Sequence, residues 1–240
     1  MNISINDYRM MYTQHEASRQ RRIKALSLST YTLNEEMLNC VTHALGALLG
    51  VIGWLMSMKL LIAAGNAVAT VSMSVFFVTM IILYANSALY HGWVLTTAKK
   101  KFQIMDHCSI FLLITGTYAP YTLMVMNNLA GRIIFAIVAL ASVLGIAMNV
   151  IDLKKFAIPS MLCYLISGWC IIFAYRDIAS ALSHDQLFML VAGGVVYTVG
   201  AIFYGLGNKI RYMHTIWHLF VLGGTLFHFA SLYSFLLYHL

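Results

Sequence analysis

Two pairs of residues, each four apart, carry the chemistry that this sequence suggests. His214 and His218 form one pair, Ser87 and His91 the other. On a helix, side chains at i and i+4 share a face about 6 Å apart along the axis. Two imidazoles so placed can hold one metal ion, and a third from another helix completes a trigonal base. His91, His214 and His218 supply such a set, which suits catalytic zinc: three protein ligands, with the fourth position left to water. Asp106 can then accept a proton from that water, and Ser87 can donate to it or to a developing oxyanion. An HxxxH pair alone is weak evidence, because histidines near helix ends often only hydrogen-bond a neighbour. The addition of SxxxH and an acid at the same depth is what favours a metal.

The remaining histidines divide by position. His43 and His107 lie near the level of the proposed ligands. His107 follows Asp106, so it points about 100° away and is expected to orient Asp106 or the adjoining loop. His43 is a candidate supporting partner for a ligand. His228 lies ten residues beyond His218, roughly 15 Å deeper and on another face, and reads as a hydrogen-bonded core histidine. His15, His184 and His239 fall in loops or tails.

What positions these groups follows from composition. The chain has 240 residues, 61% hydrophobic and 10% charged, with a mean hydropathy of +0.80. Soluble domains carry roughly 25% charged residues, so a soluble enzyme is excluded. A disordered chain is excluded by the apolar content. Four cysteines without a CxxC pair indicate neither a zinc ribbon nor a disulfide framework. The expectation is an all-α polytopic membrane protein with seven spans, over residues 38–62, 68–90, 104–126, 133–151, 157–175, 186–206 and 214–238. A β-barrel would need strictly alternating segments of about ten residues, which are absent.

Arg and Lys positions orient the bundle. Twelve fall before the first span or in the second, fourth and sixth connections, among them Arg19, Lys99, Lys100 and Lys101. Only Lys59, Arg132 and Arg176 fall on the other side. Positive charge stays cytoplasmic, so the amino terminus is expected inside and the carboxyl terminus outside. The net charge of +7 is therefore topogenic and does not signal nucleic-acid binding. Residues 1–34 read as a cytoplasmic tail, part of it a candidate interfacial helix, and 35–240 as the seven-helix domain. The amino-terminal segment lacks the pattern of a secretory signal. Gly46 and Gly50 form a GxxxG, as where helices approach closely. Pro120 should disturb the third span. Trp54, Trp93, Trp169 and Trp217 suit an aromatic belt.

At these residues the chain resembles the hemolysin III family, grouped with adiponectin/progestin receptors and alkaline ceramidases in a superfamily of membrane hydrolases. The matching stretches are Glu35 to His43, Ser87 to His91, Phe102 to Pro120 with Asp106-His107, and His214 to Val221 with His228-Phe229 downstream. Ala88 and Ala119 stand where the family favours Thr, and Gly92 where Ser is common. None of these removes a proposed ligand. Likeness runs from about Glu35 to the end; the tail before it finds no match. The resemblance implies a seven-helix bundle holding Zn2+ near the cytoplasmic face through His91, His214 and His218, with Asp106 and Ser87 as catalytic partners. It further implies lipid amide or ester hydrolysis in the enzymatic branches, and for this chain a bacterial inner membrane.

Two functions of different class follow. One is a zinc-dependent intramembrane hydrolase of an acyl lipid. The other is a non-catalytic cytolytic pore, or a receptor-like regulator of membrane lipid composition, in which zinc is structural. The polar groups collect at one depth instead of running the length of a helix, which counts against a wide aqueous channel. Dye leakage from liposomes that survives His91→Ala would mark the pore; metal-dependent lipid cleavage would mark the enzyme. Haem ligation is a third reading, disfavoured because it leaves Ser87 and Asp106 idle. Membrane lipids are the expected partners, and no nucleic acid.

Overall fold

The computed structural model describes residues 5–207 and 209–239, with side chains from Tyr8 onward. Among these residues all regular structure is helical. A first helix, α1 (Ile5–Ala25), precedes the bundle. The seven spans are α2 (Leu33–Ala64), α3 (Ala67–Gly92), α4 (Thr97–Ala119) with its continuation to Met126, α5 (Leu129–Asp152), α6 (Ala157–Gly168) running on into α7 (Tyr175–Ala181), α8 (His184–Leu206) and α9 (Met213–His239).

Most spans start earlier than hydropathy alone suggests, and polar caps account for several of the extensions. Thr32 and Glu35 form a reciprocal capping box that starts α2 at Leu33, ahead of the apolar run. Ser183 and Gln186 do the same for α8, while the side chains of Asn66 and Asn128 cap α3 and α5. Such residues satisfy the free N–H groups of a first turn and are invisible to an apolar average. Gly65, at φ 62°, ends α2 in the left-handed conformation open to glycine.

Two spans are irregular where backbone groups find other partners. At Pro120, which lacks an N–H, α4 widens into a π-helical stretch, Pro120–Met126. The fifth span is not the single helix expected over 157–175. It breaks after Gly168, makes a 3-10 turn over Cys170–Ala174 and resumes as α7. Tyr118 holds this break: its hydroxyl donates to the Gly168 carbonyl and accepts from the Ile171 N–H, both at 2.9 Å. Irregular backbone at membrane depth persists where protein satisfies it in this way.

Successive spans pack side by side, and α2 closes onto α9 to complete a ring. Gly46 permits the close approach of α2 and α3, since a Cβ there would sit 2.8 Å from the Tyr84 ring. Met73, Phe76, Phe77 and Tyr84 are fully buried inside the ring. The perimeter presents Leu55, Leu140 and Phe173 largely exposed. Seven long apolar helices with such a rim have lipid as their natural solvent, and the molecule is an integral membrane protein.

Candidate metal centre

Alternating helix direction brings the C-terminus of α3 and the N-termini of α2, α4 and α9 to one end of the bundle, the end that carries most of the Lys and Arg. His91 sits in the last turn of α3, His214 and His218 in the first turns of α9, and all three are buried. One ring nitrogen from each lies within 4.8 Å of the other two. The Nε2 atoms of His214 and His218 are 3.1 Å apart, and His91 packs against both rings at centroid distances of 5.2 and 5.1 Å.

The hydrogen bonds around the rings decide which nitrogens are free. His91 Nδ1 donates to Glu36 Oε2 at 2.7 Å. A carboxylate only accepts, so Nδ1 carries the proton and the buried, unpartnered Nε2 keeps its lone pair. His218 Nδ1 likewise faces the Asn39 carbonyl at 3.2 Å, which leaves its Nε2 lone pair directed at His214. Carboxylate and carbonyl partners of this kind hold metal-ligating imidazoles in the ligating tautomer. Bonds of about 2.0–2.1 Å put the ligands of a tetrahedral ion about 3.4 Å apart. The 3.1 Å pair is close to that spacing, and one nitrogen of His91 lies within 4.8 Å of both. The three histidines fit a metal ion.

Glu36 belongs to a wider set of contacts. Its other oxygen pairs with Lys99 Nζ at 3.0 Å. Lys99 also donates to the carbonyls of Tyr90, His91 and Trp93 at 2.7, 3.2 and 3.3 Å, closing the C-terminus of α3 whose last carbonyls lack intrahelical donors. Lys99 is thus buried and engaged, not one of the free loop charges it was counted among. Glu35 and Glu36 also stand within a span, in the first turn of α2. Glu36, Asn39, His43, Gly46 and Gly50 recur at helical spacing along one face of α2. That periodicity could have drawn Glu36 and Asn39 into the candidate set from sequence alone.

A largely apolar cavity of about 1110 Å³, its mouth included, opens beside the cluster. Ser87, Asp106, His43, His107, His214 and His218 line it, whereas His91 lies off its wall. The Ser87 hydroxyl is buried without a protein partner. Asp106 is outside the tight group of three histidines. His107 Nδ1 bonds the Gln103 carbonyl at 2.8 Å and stands 3.8 Å from Asp106 Oδ2, too far for a hydrogen bond. His43 stacks on His218 at 3.6 Å between centroids. Trp169 and Trp217 also line this cavity, and Trp169 Nε1 donates to Thr198 at 3.0 Å. These two rings fill space between helices instead of joining a belt.

The amino-terminal segment closes the site on the basic end. Tyr31 is buried and stacks on His214 at 4.8 Å, with His91 5.6 Å away. Arg19 donates to the Tyr31 carbonyl at 2.7 Å. Ile23 and Leu28 pack with Tyr90 in a small separate core.

Residues 31–229 match the haemolysin-III related family. The chain belongs to the haemolysin III family. Among curated haemolysin III proteins it is 38% identical to Hemolysin-3 of Bacillus cereus, across 82% of this chain and 89% of that one. It is 35% identical to the Hemolysin-3 homolog of Bacillus subtilis (strain 168), across 81% and 91%. A more distant human relative, Monocyte to macrophage differentiation factor, is 24% identical across 85% and 86%. The family match begins at Tyr31, so the aromatic lid over His214 lies inside it while α1 lies outside.

Proposed function

We propose that this haemolysin III protein is a zinc-dependent hydrolase that cleaves an amide or ester bond of an acyl lipid within the membrane. The observation that carries the reading is the convergence of three imidazoles beside an apolar cavity whose wall also holds a carboxyl and an unpartnered hydroxyl. Clefts of this size, apolar with a few convergent polar groups, are what ligand sites look like. Three histidines, two of them with hydrogen-bonded outer nitrogens, match the donor set that zinc takes in catalytic sites. A bound zinc ion supplies Lewis acidity and makes water reactive near neutral pH.

The chain's own residues supply the rest. The apolar wall takes the acyl chain and excludes bulk water, placing the scissile carbonyl beside His214 and His218. Asp106 accepts a proton from the attacking water and returns it to the departing nitrogen or oxygen. Ser87 donates to the carbonyl oxygen as negative charge builds on it. The site then works at the cytoplasmic leaflet, with the amino terminus inside, in a bacterial inner membrane. The name of the Bacillus relatives suggests a cytolysin instead. An apolar cavity with its charged and imidazole groups gathered toward one end favours a lipid chain over an aqueous path.

Metal analysis of the purified chain tests the ligand set. One zinc per chain is expected, lost in His214→Ala and in His218→Ala; full occupancy in both variants overturns the assignment. Release of fatty acid from acyl-amide and acyl-ester lipids tests the reaction. Asp106→Asn should retain zinc while losing about a hundredfold or more of the rate. Unchanged turnover in that variant removes Asp106 from the mechanism.

A further inference from the structure

Four tyrosines line the cavity: Tyr118, Tyr164, Tyr197 and Tyr204. Protein atoms occupy the hydroxyls of three. That of Tyr118 bridges the Gly168 carbonyl and the Ile171 N–H, both at 2.9 Å. The Tyr164 hydroxyl donates to the His107 carbonyl at 3.1 Å and accepts from the Asn149 amide at 3.0 Å. The Tyr197 hydroxyl meets Thr225 Oγ1 at 2.6 Å. Thr225 gives its own proton to the Val221 carbonyl, so Tyr197 is the donor in that pair.

Tyr204 differs from these. Among the described residues its hydroxyl has no hydrogen-bond partner, and protein atoms do not close it off. The residue stands in the last turn of α8, deep within the bundle. The open side of the hydroxyl is therefore the cavity. A phenol O–H left bare in an apolar wall is costly, so an acceptor belongs there.

The surroundings indicate which acceptor. The Tyr204 ring stands 6.2 Å from that of His214 and 6.3 Å from that of His107, between centroids. Trp217 packs beside it at 5.5 Å. Asp106 is close enough for its charge to act on the hydroxyl, although no hydrogen bond joins the two. The hydroxyl thus borders the place where the proposed reaction puts the scissile carbonyl, beside His214 and His218. A carbonyl oxygen only accepts, and a phenol can donate to it. Donors fixed in this way stabilise the charge that grows on such an oxygen.

We infer that the Tyr204 hydroxyl donates a hydrogen bond to the carbonyl oxygen of the bound acyl lipid, alongside Ser87. The inference rests on the cavity being the acyl site proposed above. It gives the sixth span, which brings no histidine to the cluster, a direct contact with the reacting group.

Isotope-edited infrared spectroscopy of the full chain in nanodiscs tests this, with an acyl-amide lipid carrying carbon-13 at its carbonyl. A chelator is present, so no metal polarises the oxygen and nothing turns over. The bound lipid should show a carbonyl band below that of the same lipid in protein-free nanodiscs. Tyr204→Phe keeps the ring and should return the band most of the way. Replacing Tyr204 by difluorotyrosine, a stronger donor, should lower it further. With zinc restored, Tyr204→Phe should retain the metal and lose about a hundredfold in kcat. If that variant fails to fold, the difluorotyrosine band decides alone. A band that stays the same in Tyr204→Phe, as when the hydroxyl holds an ordered water, overturns the inference. So does a lipid that fails to displace a fluorescent fatty acid from the cavity. A Tyr204-dependent band without hydrolysis sinks the hydrolase alone; hydrolysis with an unmoved band sinks the Tyr204 contact alone.

Discussion

His91 takes its proton arrangement from a residue fifty-five positions earlier in the chain. Glu36 holds the Nδ1–H at 2.7 Å and is itself held by Lys99 at 3.0 Å. Neutralising the carboxylate weakens the bond that keeps Nε2 basic and aimed at the cluster, so Glu36→Gln should lower zinc affinity about ten- to a hundredfold. Competition with a chromogenic chelator measures it, and an affinity within twofold of wild type would show that Glu36 does not support the site. The clustered histidines were visible in sequence because HxxxH and SxxxH are local patterns on one helix each. Glu36 shows in sequence only as one of a periodic polar set on α2, and its pairing with His91 depends on another helix. Lys99 was misjudged for the same reason: a lysine in a basic run looks topogenic until its side chain is seen turned inward.

Among elements, the segment over residues 19–32 is anchored on the bundle at several points. Arg19 is buried, Ile23 and Leu28 pack on Tyr90, and Tyr31 lies across His214. Glu35, which caps α2 next to it, also accepts from the Tyr212 N–H at 2.8 Å, tying this corner to the start of α9. Tyr31 thus covers His214 on the basic end. Stacked aromatic pairs contribute about 0.5–1.5 kcal/mol beyond area burial, so Tyr31→Ala should speed chelator extraction of zinc about tenfold. Stopped-flow chelation measures the rate; an unchanged rate would mean that metal exchanges through the lateral cavity. The anchoring is hidden by the segment's polarity. A segment rich in Arg, Gln and Ser averages as solvated even when three or four of its residues anchor it.

At the scale of the whole molecule, seven spans close into a ring and bring Ser87, Asp106, His91, His214 and His218 to one end. An odd number of crossings puts the termini on opposite sides, and the Arg and Lys imbalance is the ground for the cytoplasmic amino terminus proposed above. A periplasm-dependent phosphatase fused after residue 240 should therefore be active, and the same enzyme fused after residue 207 inactive. The reverse pattern would place the histidine cluster at the opposite leaflet.

Span number, helical class and the depth of the clustered histidines were set by the chain's own composition and local spacing. In lipid only a helix satisfies every backbone group within its own segment, so twenty apolar residues suffice to specify it. The same logic made Pro120 readable as a disturbance of its helix. Which helix faces which, which imidazole nitrogen stays free, and that Trp169 and Trp217 border a cavity were decided only by tertiary packing. Those properties are relations between side chains far apart in sequence, and no local pattern encodes the angle at which two helices meet.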